Sequence, residues 1–300
     1  MRIFLTGATG YIGAAVLDAF VRSGHRVDAL VRNSVKASQV QARGATPVLG
    51  NLREPASYAD AAASVEGIVH AALDNTPQKV EVDARAIDTL LASAAASKTV
   101  ECLIYTSGTW VIGNTTSPAD ETTSLDPAEI SSWRAAHEQR VLAAATDTFR
   151  TIVIRPGIVY GGSRGIIADV LKDAANSLIR VVGPGDNRWP LVYDRDLADL
   201  YVRIAVTLGA SGLFHANDEG DEHVNDIVAA ISHHAPTRPS VRHVPLPEAR
   251  KKMGPYADAL ALDQVVRSPR ARALGWNPSL KSVSGNAARL MEEWRRGSRG

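Results

Sequence analysis

The chain begins with a short apolar strand, Arg2-Ile3-Phe4-Leu5-Thr6, that runs straight into Gly7-Ala8-Thr9-Gly10-Tyr11-Ile12-Gly13. Gly-x-x-Gly-x-x-Gly between a strand and a helix meets the needs of a dinucleotide pyrophosphate. The strand delivers the chain to a tight turn, and glycines let the backbone approach the phosphates. The helix that follows, expected from Tyr11 to about Ser23, aims its positive N-terminal end at them. A second strand, Arg26 to Val31, returns on schedule. In this context Gly7, Thr9, Gly10, Tyr11, Ile12 and Gly13 are expected to cradle a bound dinucleotide.

Further strand-like runs occur at Thr46–Leu49, Gly67–His70, Cys102–Thr106, Thr151–Ile154 and Gly212–His215, with helical stretches such as Lys79–Ser97 and Pro127–Ala145 between them. Strands alternating with helices of this length predict an α/β fold, a Rossmann-type doubly wound parallel sheet of about seven strands. After Tyr160 the alternation loosens. The expected division is a dinucleotide-binding domain over 1–160 plus 190–240, with a smaller C-terminal substrate lobe over 161–189 plus 241–300. The last six residues, from Arg295 to Gly300, read as a frayed, solvated tail.

Composition excludes several classes. A net charge of +1 gives no electrostatic case for nucleic acid or a membrane surface. The single cysteine, Cys102, lies in a buried strand pattern and reads as a core residue rather than a nucleophile. With the first strand starting at residue 2 and no apolar run of membrane-spanning length, the protein is expected to be cytoplasmic. The expected partners are a small-molecule substrate and, at most, a second copy of the chain. His223 and His233-His234 lack metal-ligand spacing, so no metal is assigned. The run Asp218-Glu219-Gly220-Asp221-Glu222 fails the calcium-loop pattern and reads as a solvated turn. Arg188, after Asn187, is either a contact for an anionic substrate or an ordinary surface arginine.

The end of the second strand addresses cofactor choice. An adenine ribose without a 2′-phosphate is recognised there by an acidic residue, but this chain reads Val31-Arg32-Asn33-Ser34-Val35-Lys36. Arg32 offers a planar fork suited to a phosphate and Lys36 adds a point charge, so NADP(H) is the expected cofactor.

Six segments in order carry a family resemblance. They are the glycine turn, Gly67-Ile68-Val69-His70-Ala71-Ala72, Tyr105-Thr106-Ser107-Gly108, Arg155-Pro156-Gly157-Ile158-Val159-Tyr160-Gly161, Val192-Tyr193-Asp194-Arg195-Asp196-Leu197-Ala198 and Leu274-Gly275-Trp276-Asn277-Pro278. Over nearly its whole length the chain resembles the extended or atypical short-chain dehydrogenase/reductases of the NAD-dependent epimerase/dehydratase superfamily, and its Arg32 loop resembles NADP-preferring members. The resemblance implies that Asn51-Leu52 lies at the adenine, and that Ala71, Ala72, Thr106, Ser107, Pro156 and Gly157 also line the cofactor. It further implies a Ser, Tyr and Lys triad, whose positions fall here on Gly108, Ile130 and Arg134. No tyrosine in the chain is followed four residues later by lysine.

Arg134 can hold ribose hydroxyls but is a poor proton relay. The candidate proton donors are Thr109, His137 and Tyr193, with Arg134 kept as a catalytic candidate at the lysine position. Each has a structural alternative: Thr109 packing beside the cofactor, His137 as a satisfied helix histidine, Tyr193 anchoring a strand-to-helix junction. A helix over Pro127–Ala145 would put Ile130, Arg134 and His137 on one stripe. Three functions remain open: an NADP(H)-dependent oxidoreductase of small carbonyl compounds with a non-standard proton donor, a nucleotide-sugar epimerase or dehydratase, and a non-enzymatic NADP(H)-sensing regulator.

Overall fold

The computed structural model describes residues 1–298. Its centre is a seven-stranded parallel sheet made of β1 (Arg2–Thr6), β2 (Arg26–Val31), β3 (Thr46–Leu49), β4 (Gly67–His70), β5 (Cys102–Thr106), β6 (Arg150–Pro156) and the strand Gly212–Ala216. The first five have the expected bounds and the last two run slightly longer. From one edge the order is Gly212–Ala216, β6, β5, β4, β1, β2, β3. Central strands read as unbroken apolar runs because helices in the crossovers cover both faces. Phe4, Ile68, Tyr105 and Val153 are fully buried in one cluster with Tyr58 and Leu90.

The strand order reverses between β1 and β4. Thr6 pairs in register with His70, so Gly7 and Ala71 leave the sheet side by side. Ligands of such sheets bind at this reversal, beyond the carboxyl ends of the strands.

The chain packs as two compact units. The first holds Met1–Ser107, Ala136–Ile154 and Ala198–Phe214. The second holds Gly108–Ala135, Arg155–Leu197 and the chain from His215 onward. Segments 108–135 and 215–240 thus group with the C-terminal part. In the second unit, Ile158, Tyr160, Leu171, Ile227 and Leu290 share an apolar core. Two of the resembling segments meet there. Trp276 Nε1 donates to the Asp196 carbonyl at 2.7 Å, and the Asp196 carboxylate accepts from Ser279 and Leu280 N–H groups at 2.9 and 3.1 Å.

Two expectations need correction. The helix expected over Pro127–Ala145 spans only Arg134–Ala143, and Glu129–Ser131 forms a separate 3-10 turn. Side chains compete there with the helical ladder: Ser131 Oγ donates to the Ala128 carbonyl (3.0 Å), Ser132 Oγ to that of Glu129 (2.9 Å), and Trp133 Nε1 to that of Ile130 (3.1 Å). Ile130 therefore shares no helical stripe with Arg134 and His137. The expected C-terminal tail is also helical, within Ala287–Gly297, where Arg296 pairs with Glu292 one turn away. Arg299 and Gly300 lie outside the described residues. No helix among the described residues is long and apolar enough to cross a membrane.

Candidate functional site

The glycine turn is shaped by close backbone approach. Gly7 has φ +78°, and a Cβ there would lie 2.6 Å from the Ala71 carbonyl oxygen. The Gly10 N–H donates to the Gly7 carbonyl at 2.8 Å, and a Cβ on Gly13 would lie 2.1 Å from that same oxygen. A side chain at either position would push the helix Tyr11–Arg22 off β1. Gly10 leaves that helix without a side-chain cap, so its first-turn N–H groups face the turn. This bare cradle fits a dinucleotide pyrophosphate. Thr6 buttresses it from below: its Oγ1 accepts from the Ala72 N–H (3.3 Å) and lies 2.6 Å from His70 Nδ1.

At the end of β2, Arg32 is exposed, and no ion pair or hydrogen bond among the described residues engages its guanidinium. Asn33 caps the next helix by accepting from the Lys36 N–H at 2.9 Å, while Lys36 Nζ donates to Gln39 at 3.0 Å. Of the two cations expected at the ribose, Arg32 has no partner among the described residues, and Lys36 keeps its charge and further N–H donors beside the bond to Gln39. Asn51 closes a turn, its amide oxygen accepting from the Arg53 N–H at 3.1 Å, and Leu52 packs onto the Phe4–Tyr58 cluster. The turn leaves the Asn51 amide nitrogen as its remaining donor.

Still within the first unit, three side chains converge on a buried carboxylate. Asp83 lies 2.8 Å from the Tyr105 hydroxyl, 2.7 Å from His137 Nδ1 and 3.3 Å from His70 Nε2. His70 continues to Thr6, so the network reaches the base of the glycine turn. Beside it Ser107 donates to Glu138, and Thr106 Oγ1 lies 2.7 Å from the Tyr201 hydroxyl. His137 is buried, with its ring held by Asp83. Sequence reasoning missed His70, Asp83 and Tyr105. The available signal was a histidine ending β4 in register with Thr6, beside the resembling Ala71-Ala72.

In the second unit, Thr109 is buried in the 3-10 turn Thr109–Val111. Its carbonyl accepts from Gln264 Nε2 at 2.8 Å, and its hydroxyl has no partner among the described residues. Gly108 is extended, and a Cβ there would find its nearest neighbour, the Pro156 carbonyl, at 3.9 Å. Arg134 lays its guanidinium 4.4 Å from the centre of the Trp133 ring. Gly157, after Pro156, is pinned by its N–H to the Ala216 carbonyl at 2.9 Å. Tyr193 donates to Glu293 at 3.0 Å and packs on Tyr160, and burial pushes its hydroxyl up to about 12. His215 is also buried, with Nδ1 3.1 Å from the Arg267 carbonyl. Burial, with the nearby Arg155, lowers its pKa to about 4, which keeps the ring neutral.

The acidic run is not a solvated turn. Asp218 is buried against the Tyr160 hydroxyl (3.2 Å), Glu219 accepts from the Ser268 N–H (2.9 Å), Asp221 pairs with Arg267 (2.6 Å), and Glu222 accepts from the Val283 N–H (2.6 Å). Fixed partners, which sequence proximity cannot show, hold each carboxylate in place. Arg188 is likewise committed, as a fork on Asp263 at 2.8 and 2.7 Å, so it is not left for an anionic substrate.

The profile of the NAD dependent epimerase/dehydratase family matches residues 3–212. A decarboxylating sterol-4-alpha-carboxylate 3-dehydrogenase of Dictyostelium discoideum is 28% identical over 235 residues, covering 72% of this chain and 71% of its own. A 2-alkyl-3-oxoalkanoate reductase of Stenotrophomonas maltophilia is 28% identical over 253 residues, covering 77% and 76%. The solved Thermus thermophilus UDP-glucose 4-epimerase in complex with NAD superimposes with a TM-score of 0.81 at 19% identity, over 98% of this chain and 99% of that one. The match runs from β1 to the start of the last sheet strand and takes in the whole glycine cradle, so the chain belongs to the NAD dependent epimerase/dehydratase family.

Proposed function

We propose that this protein is a cytoplasmic NADP(H)-dependent oxidoreductase acting on a small carbonyl compound, with a proton donor other than the usual tyrosine. The observation that carries the cofactor reading is Arg32: an exposed guanidinium with no partner among the described residues, where a ribose-binding carboxylate would otherwise stand. NADPH supplies the hydride. The residues of the chain bind and orient it through the glycine cradle and Arg32, and they handle the proton. Two relatives are named as a dehydrogenase and a reductase, which supports hydride chemistry.

Among the donor candidates, His137 has the strongest support. A carboxylate 2.7 Å from Nδ1 orients an imidazole and fixes its tautomer, as a general acid requires. Thr109 brings an uncommitted hydroxyl, whereas the Tyr193 hydroxyl is engaged by Glu293.

Titration calorimetry tests the cofactor. NADPH is expected to bind at least about tenfold tighter than NADH, about 1.4 kcal/mol, and Arg32→Asp to erase the difference. Equal affinities in the native protein would overturn the reading. For the chemistry, slow NADPH oxidation is expected with reactive aldehydes and diketones, because loss of a general acid costs about 10²–10⁴ while positioning persists. Gly108→Ser with Ile130→Tyr and Arg134→Lys should raise that rate. A broad carbonyl panel inert with both proteins would sink the oxidoreductase and favour an NADP(H)-sensing regulator.

A further inference from the structure

Two loops of the first unit are tied together beyond the carboxyl edge of the sheet. One follows β3 and the other follows β4, and the order β4, β1, β2, β3 puts two strands between them. At about 4.8 Å per strand step, the roots of these loops stand roughly 14 Å apart. Arg53 and Asp74 bridge that gap. Arg53 Nε donates to Asp74 Oδ2 at 3.1 Å, and Arg53 Nη2 donates to Asp74 Oδ1 at 3.2 Å and to the Thr76 hydroxyl at 2.7 Å. A planar fork on a carboxylate, with a third acceptor beside it, holds its geometry better than a single exposed ion pair.

Both ends of this clasp are anchored. On the β3 side the Asn51 amide oxygen accepts from the Arg53 N–H, and the Asn51 carbonyl accepts from the Glu54 N–H at 2.8 Å. On the β4 side Asp74 Oδ1 accepts from the Thr76 N–H at 3.0 Å. The Thr76 carbonyl in turn accepts from the Lys79 N–H at 3.1 Å, where the helix Lys79–Ala96 begins. Hydrogen bonds from Thr76 and Arg53 hold the Asp74 carboxyl below the usual carboxylate range, so it stays charged at neutral pH. The pair is only partly covered, with side chains 39% exposed at Arg53 and 14% at Asp74, so water can take over its hydrogen bonds when it opens.

The two strands that the clasp spans carry the dinucleotide features: β1 ends in the glycine turn, and β2 ends at Arg32. A dinucleotide reaching from the glycine turn to Arg32 lies across the ends of those same strands, between the two tied loops. We propose that the Arg53–Asp74 clasp gates the adenosine half of the cofactor, parting to admit or release it and re-forming at its flank. The inference rests on the glycine cradle taking a nicotinamide dinucleotide. It asks nothing of the proton donor or the substrate.

A gate differs from a contact in its kinetics. Losing a contact speeds release alone, while losing a gate speeds entry and release together and leaves affinity almost unchanged. Stopped-flow mixing with NADPH, followed by its nicotinamide fluorescence, reads both rates. Arg53→Gln with Asp74→Asn removes the ion pair at constant net charge, so the overall attraction for phosphates holds. Both rate constants are expected to rise about three- to fivefold, the worth of a well-formed exposed pair, with Kd within about twofold and the melting temperature unchanged. If that variant fails to fold, Arg53→Lys decides: it keeps the charge but loses the fork, and both rates should rise about twofold. Faster release alone, or unchanged rates, would overturn the gate and leave the cofactor reading standing. Parent protein that binds neither NADPH nor NADH would overturn both.

Discussion

The two units bury carboxylates in different ways. Asp83 in the first and Asp218 in the second are equally hidden, at 4% and 3% exposure. Asp83 is faced by two imidazoles and a phenol drawn from β4, β5 and the helix Arg134–Ala143. Asp218 receives one phenol, from Tyr160, and one backbone N–H, from Gly220. Burial, with too few donors to offset it, pushes Asp218 up to about 7. In the same unit Asp194, with one buried oxygen unpartnered among the described residues, is pushed up by burial to about 6. At equal depth the two carboxylates differ in the donors that face them, three side chains for Asp83 against one side chain and one backbone N–H for Asp218.

The sharpest way to break this comparison is Asp83→Ala. It would strand His70, His137 and Tyr105 without their acceptor, and a loss of about 3–5 kcal/mol is expected in urea unfolding. A loss under about 1 kcal/mol would show that the donors find other partners. Asp218→Asn should act in the opposite direction. A carboxyl whose folded pKa lies above its unfolded value favours the folded state while protonated, so that stability falls as pH rises from about 4 to about 7. The asparagine variant should match the parent near pH 4 and exceed it by about 1–3 kcal/mol at pH 8. A parallel pH dependence in both proteins would remove Asp218 as the cause. The smallest effect is expected from Glu222→Gln. Glu222 also accepts from Ser282 and Ser284, and losing part of that set should cost about 1 kcal/mol in thermal melts.

The same contrast explains what could be read in advance. The parallel strands are legible because a strand buried on both faces is an apolar run ended by turn residues, as in Gly67–His70 and Cys102–Thr106. The glycine turn is legible because Gly7 and Gly13 are required by contacts with neighbours close in sequence or in register. Side-chain partnerships across long separations were not legible. Asp83 meets His137 over 54 positions, and Glu222 meets Val283 over 61. Nothing local distinguishes such carboxylates from solvated ones. The late start of the helix at Arg134 was hidden for a related reason: Ser131, Ser132 and Trp133 turn their side chains back onto the backbone.

Cys102 sits in β5 between Gly67 of β4 and Arg150 of β6, and a Cβ on Gly67 would come 3.3 Å from its sulfur. Burial pushes the thiol up to about 11, so at neutral pH almost none of it is thiolate. A thiol that neither ionises nor meets solvent does not attack disulfides or take up peroxide. Oxidative cross-linking of two molecules therefore has to wait until the central sheet opens, which ties the redox lifetime of the protein to its unfolding rate.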